Sequence, residues 1–209
     1  MPRTPSIPDR QILEAARATF LELGIRATTA EVARRAGVAE GTLFKRFKNK
    51  DDLFVACMEP GAIDDLPWIR TLIAGSTRSD VRAVLYKAGL ECIAFFRKLL
   101  PLMMMSWSNS AQSGMPPHLR GSNPPPLRAL KTVASFFESQ IRGGRLRRHD
   151  PEILARMFIS SMQNYAFTEL LLKESDQEPL PVERYVRGVM NLLWSGAAPA
   201  AGARKRRSA

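Results

Sequence analysis

Apolar residues recur at three- and four-residue steps along most of the chain, and few runs alternate with period two, so the pattern predicts an all-α protein. The first stripe is Ile12, Leu13, Ala16, Phe20 and Leu23, with Arg10, Glu14, Arg17 and Glu22 left for the other face. It predicts an amphipathic helix from Asp9 to Leu23, ended by Gly24. After a short connection at Ile25 to Ala27, Thr28 and Glu31 have the spacing of a capping box, in which each satisfies an amide that a helix start leaves unpaired. A second helix therefore opens near Thr29, turns Val32, Ala33 and Ala36 inward and stops at Gly37. A third, short helix is expected from about Ala39 to Arg46. Small residues at Ala33 and Gly37 let two helices cross steeply over a tight turn, which places a helix-turn-helix at Thr28 to Phe47.

Asn49 and Asp52 make a second cap, opening a fourth helix with Leu53, Phe54 and Cys57 that Pro60 and Gly61 interrupt. A mixed stretch surrounds Trp68. Thr77 and Asp80 then repeat the capping pattern ahead of a long stripe from Val81 to Leu99, and Pro101 is expected to end or bend that helix. Residues 106–126 are rich in Ser, Pro, Gly and Asn and predict a connection rather than a packed element. Helical patterns resume at Leu127 to Ile141, Pro151 to Leu172 and Val182 to Trp194, for about nine helices in all. The final residues, 197–209, have almost nothing to bury and predict a disordered basic tail.

Composition narrows the class. The net charge of +11 points to a polyanionic partner such as double-stranded DNA, although four of the charges, Arg204 to Arg207, sit in the tail and excess charge can equally be solvated surface. No apolar run approaches the roughly 20 residues of a membrane span, and the start lacks the apolar centre of a signal peptide, so a cytoplasmic protein with no membrane partner is expected. The two cysteines, Cys57 and Cys92, lie inside apolar helical patterns and predict buried thiols, with no metal or cofactor. No nucleophile elbow, phosphate loop, dinucleotide fingerprint or His-Glu-x-x-His helix occurs, and His118 and His149 lack recognisable catalytic partners, so an enzyme is not expected.

The run from Thr28 to Phe47, followed by Asn49, Lys50, Asp51, Asp52 and Leu53, closely resembles the TetR family of regulators. The resemblance rests on the paired threonines opening the second helix, the Ala36-Gly37-Val38 turn, Gly41-Thr42-Leu43 with an aromatic at Phe44, Phe47 at its end and Lys50 at the next helix. Together with Ile12, Leu13, Ala15, Ala16 and Gly24 it covers the first quarter of the chain. It implies a three-helix DNA-binding domain over residues 1–48, a larger helical effector-binding and dimerisation domain over 49–196, and a ligand-responsive regulator, usually a repressor.

A reading helix must bring its first turn close to the bases, and Ala39, Gly41 and Thr42 are small enough to permit this. Lys45, Arg46 and Lys50 are expected at backbone phosphates, with Thr28, Thr29 and Arg35 as further candidates; Arg34 and Arg35 read equally well as a solvated face. Glu40 is either an acceptor for a cytosine amino group or a carboxylate favoured by the start of its helix. Phe44, Ala39 and Glu40 depart from the family pattern, which more often has Tyr, Ser and a basic residue there.

A module of this size reads few base pairs, so two copies on a palindrome are expected. Leu154, Phe158, Met162, Tyr165, Tyr185, Val186, Val189 and Leu193 form the stripes assigned to the homodimer interface, the alternative being an internal core. Phe95, Phe96, Met103, Met104, Trp107, Phe136, Phe137 and Tyr165 could line a cavity for a small-molecule effector, or simply pack. A nonspecific DNA-compacting protein is the rival reading of the charge.

Overall fold

Nine α-helices and no strand occur among the described residues of the computed structural model, which are 7–58, 63–77, 80–108 and 122–197. Two units share the packing: Met1–Pro60 with Leu99–Arg120, and Gly61–Lys98 with Gly121–Ala209. Pro60, Gly61, most of the connection before α7 and all of the tail after Ala197 lie outside the described residues, as does the side chain of Trp107.

The first unit holds α1 (Asp9–Leu23), a 3-10 turn at Gly24–Arg26, α2 (Thr29–Ala36), α3 (Glu40–Phe44) and α4 (Lys50–Met58). Both predicted caps form: the Thr28 amide donates to Glu31 Oε2 at 2.7 Å while Thr28 Oγ1 accepts from the Glu31 amide, and the Asp52 amide donates to Asn49 Oδ1 at 2.7 Å. Gly37 ends α2 at φ 71°, a left-handed conformation that a Cβ would strain. The third helix is shorter than the expected Ala39 to Arg46. Its last turn closes early because the amides of Arg46 and Phe47 both donate to the Leu43 carbonyl, at 2.9 and 2.8 Å.

Ile12, Phe20, Val32, Leu43, Leu53 and Cys57 form the centre of this unit, with Phe20 meeting Phe54 edge to face at 4.9 Å. The sequence division at residue 48 separates α4 from these helices, but the packing boundary falls at Pro60. Two links hold α4 in place. Leu53 and Cys57 are wholly buried, and Arg17 on α1 donates from Nε and Nη2 to the Cys57 carbonyl at 3.0 and 2.6 Å, satisfying an acceptor that the end of α4 leaves open. Burial pushes the Cys57 thiol up to about 12 and that of Cys92 in the same direction, so both cysteines are unreactive, buried thiols.

The second unit contains α5 (Pro67–Gly75), most of α6 (Val81–Ser108), α7 (Pro125–Arg142), α8 (Pro151–Leu171) and α9 (Val182–Ala197). Three details differ from expectation. The mixed stretch around Trp68 is a helix, opened by Pro67 and buried through Trp68, Ile69 and Leu72. Asp80 itself caps α6, its Oδ1 accepting from the Ala83 amide at 2.9 Å, in place of a box begun by Thr77. Pro101 does not end α6, which continues to Ser108 and so takes in the start of the expected connection. The proline removes one amide donor from the helix, and the buried Leu100 and Leu102 on either side anchor the turns through it. At the other edge of that connection α7 starts at Pro125, where a proline lacks only an amide that would be unpaired anyway.

Gly75 on α5 packs tightly against α6: a β-carbon there would lie 2.4 Å from Val84 Cγ1. Gly75→Ala is therefore expected to destabilise the chain by about 1–3 kcal/mol through overpacking. Adding Val84→Ala should return part of that loss; a thermal melt in which G75A matches the wild type would show that the contact is not tight.

Candidate nucleic-acid interface

The capping box fixes the start of α2, Gly37 fixes its end, and Leu43, 1% exposed, anchors α3 from beneath. These constraints turn the remaining side chains of α3 outward: Glu40, Gly41, Phe44 and Lys45 are exposed, with Ala39 just ahead of them. The first turn carries no bulk near its backbone, since a β-carbon at Gly41 would meet nothing within 4 Å. Such a turn can approach base edges closely, which is the geometric requirement for reading a major groove.

The other candidates are less alike than their spacing suggested. Arg46 has its side chain 23% exposed and donates from Nη1 to the Ile7 carbonyl at 2.6 Å and to Asp9 Oδ1 at 2.7 Å, so it ties the end of α3 to the start of α1. Arg35 pairs with Glu22 on α1 at 2.6 Å. The Thr29 hydroxyl donates to Glu40 Oε1 at 2.5 Å and is not available as a donor to phosphate, although the amides at the start of α2 remain. Thr28 is exposed and engaged in its cap; Thr42 is half-buried, and Lys50 is half-buried at the opening of α4. Phe44, 50% exposed, has no place in the core and offers a bare ring to the exterior. The pairings made by Arg17, Arg35 and Arg46 cross 40, 13 and 37 residues of sequence, and no local pattern signals them.

The residues proposed for an effector cavity divide. Phe96, Phe136, Phe137 and Tyr165 are buried in the second unit, and Phe95 is half-buried there, 6.3 Å from Trp68. Met103 and Met104 belong to the first unit. Two recesses of the second unit are lined largely by other side chains. One of about 620 Å³ runs between α5 and α6 beside Arg70, Thr71, Lys87 and Glu91; another of about 680 Å³ lies beside Tyr165, Glu169, Lys173 and Tyr185. The indole nitrogen of Trp68 is the one buried side-chain polar atom without a hydrogen-bond partner among the described residues.

Of the dimer candidates, Leu154, Phe158, Met162, Tyr165, Val186 and Leu193 are buried within the protomer itself, while Tyr185 and Val189 are half-buried. The Tyr185 hydroxyl donates to the Ser161 carbonyl at 2.9 Å and the Tyr165 hydroxyl to that of Leu180 at 2.5 Å, so these tyrosines bind α8, α9 and their connection together. The outward apolar groups of the same helices are Ile153, Met157, Phe167, Leu171 and Leu192, a register that the sequence stripe did not distinguish from the inner one.

Comparison with known proteins agrees with this architecture. The family model for bacterial regulatory proteins of the tetR family matches residues 12–57, and that for the AefR-like transcriptional repressor C-terminal domain matches residues 123–192. An uncharacterised HTH-type transcriptional regulator of Bacillus subtilis, YhgD, is 26% identical over 191 residues, covering 87% of this chain and 91% of its own length. Among solved structures, a protein of Mesorhizobium loti assigned to the TetR family superposes with a TM-score of 0.71 at 21% identity, over 91% of this chain and 96% of that one. SmeT, repressor of the Stenotrophomonas maltophilia multidrug efflux pump SmeDEF, gives 0.62 at 23% identity over 93% and 92%.

The capping box has a measurable pH signature. The Thr28 amide, and after it the Thr28 hydroxyl, holds the Glu31 carboxyl below the ordinary carboxylate range. A group with a depressed folded-state pKa stabilises above its unfolded value and loses that contribution as pH falls through the folded one. The difference in melting temperature between wild type and Glu31→Gln should therefore be greatest at neutral pH and close in acid; a difference that does not change with pH would assign the role to shape rather than charge.

Proposed function

Because the chain belongs to the TetR family of transcriptional regulators, we propose that it is a homodimeric repressor that binds a palindromic operator and is released by a small apolar or amphipathic effector. The observation that carries this reading is the exposed first turn of α3, small at Ala39 and Gly41, held from below by Leu43 and flanked by Lys45. Thr42 and Phe44 extend it, with a hydroxyl for a base edge or phosphate and a ring suited to a thymine methyl. Lys45 and Lys50, with the amides opening α2 and α4, serve the phosphates. Regulators of this family are generally not enzymes, and no group of three or more His, Cys, Asp or Glu among the described residues is arranged to hold a metal. No helix among them is long and apolar enough to cross a membrane.

Dimerisation uses the outer register of α8 and α9. Ile153, Met157 and Leu171 are 57, 56 and 60% exposed and Leu192 is 78% exposed, so two copies joined here cover apolar surface that one copy leaves in water. The inner register, from Leu154 to Leu193, supports that face from behind. Effector binding falls to the second unit, where the recess beside Thr71 and Glu91 is lined by α5 and α6. SmeT forms a complex with triclosan, an example of such a fold accepting a small aromatic molecule.

Selection from random duplexes with the full chain should enrich a palindrome that survives moderate salt, whereas a nonspecific binder would hold all duplexes alike. In light scattering the wild type should be a dimer. Met157→Glu and Leu192→Glu should yield folded monomers that lose at least about tenfold in affinity for the palindrome, since one half-site contact is lost as a unit. A monomeric wild type, or variants that remain dimers, would overturn the assigned interface.

A further inference from the structure

Two acidic side chains stand on α2 and α3, and their settings differ. Glu31 is occupied by the capping box, where it meets the amide and hydroxyl of Thr28. Glu40 opens α3, is exposed, and enters none of the ion pairs formed among the described residues. Its hydrogen bond comes from the neutral hydroxyl of Thr29, which reaches Oε1 from the first turn of the other helix of the motif. That bond neutralises no charge. The other exposed ionisable side chains between Arg34 and Lys48 are basic, namely Arg34, Arg35, Lys45 and Lys48, as a surface facing phosphates requires.

A carboxylate on that surface repels phosphate and weakens binding to any duplex unless it meets a donor. The major groove offers amino donors on two bases. Adenine N6 stands beside the N7 acceptor of its own base, which a carboxylate also repels, while cytosine presents N4 without a neighbouring acceptor on its own edge. Ala39 and Gly41 flank Glu40 without bulk, so nothing on the turn holds the carboxylate away from the base plane. We propose that Glu40 selects a cytosine in each half-site. Thr29 acts as its positioning residue, holding one carboxylate oxygen and leaving Oε2 to accept from the N4 amino group. The assignment rests on the DNA-reading role of α3 given above and adds to it a base, a residue and an orienting partner.

Selection from random duplexes with the full chain as wild type, Glu40→Gln, Glu40→Ala and Thr29→Val tests it. The wild type should enrich a cytosine at one position of each half-site, and replacing that base should weaken binding about tenfold. Glu40→Gln should shift the same position to adenine, whose N6 and N7 match an amide, and Glu40→Ala should make it indifferent, with every other position unchanged. Thr29→Val should keep cytosine but lower the discrimination severalfold. If Glu40→Ala keeps the wild-type base profile and binds all duplexes more tightly, Glu40 is only a charge that opposes phosphate and the proposal fails. If the wild type itself enriches no sequence, the regulator reading fails with it, a result distinct from the first.

Discussion

The first unit cannot close its hydrophobic core with its own first sixty residues. Leu102, on a helix that begins beyond α5, stands 1% exposed among Ile12, Phe20, Leu43 and Leu53, and Met105 packs at the edge of the same cluster. A body of about sixty residues buries only some 60% of the surface its chain exposes when unfolded, so one additional buried leucine is a material contribution to its stability. The short α3, the cap at Thr28 and the turn at Gly37 all depend on that core, because a five-residue helix is not stable in isolation.

Leu102 reaches the core through the uninterrupted course of α6 past Pro101. The helix has Phe95 and Phe96 in one unit and Leu102 and Met105 in the other. Within the second unit a separate set of polar contacts sets the helix ends: Gln140, fully buried, donates to the Ser76 carbonyl at 2.9 Å and accepts from Arg145 Nε at 2.6 Å, joining the ends of α5 and α7. In each unit a half-buried arginine closes a helix end, Arg17 at the Cys57 carbonyl and Arg145 at that of Ser76.

What the sequence made legible was local. Caps announce themselves through residues three apart, and Thr28 with Glu31 and Asn49 with Asp52 formed as their spacing implies. A stripe long enough to repeat several times gave α1, α7, α8 and α9 to within a few residues. α5 was obscured because a nine-residue helix repeats its apolar face barely twice, and of the two outcomes expected at Pro101, an end or a bend, the end does not occur because tertiary packing outweighs the loss of one hydrogen bond. At the candidate site the small residues of the first turn of α3 were readable, but the pairing of Arg35 with Glu22 and of Arg46 with Asp9 was not, because nothing local in the sequence brings those partners together. The inner and outer registers of α8 differ by one residue, Leu154 against Ile153, and only the packing separates them.

The shared ownership of α6 also bears on the order in which the molecule is made. When the first sixty residues leave the ribosome, the socket that Leu102 fills is still empty, and it stays empty until α5 and nearly all of α6 have been synthesised. The nascent head must then wait, partly open, for a helix belonging mostly to its neighbour. For the same reason the head is not a transferable module: a graft cut at the end of α4 would carry the reading helix but leave behind a part of the core that supports it.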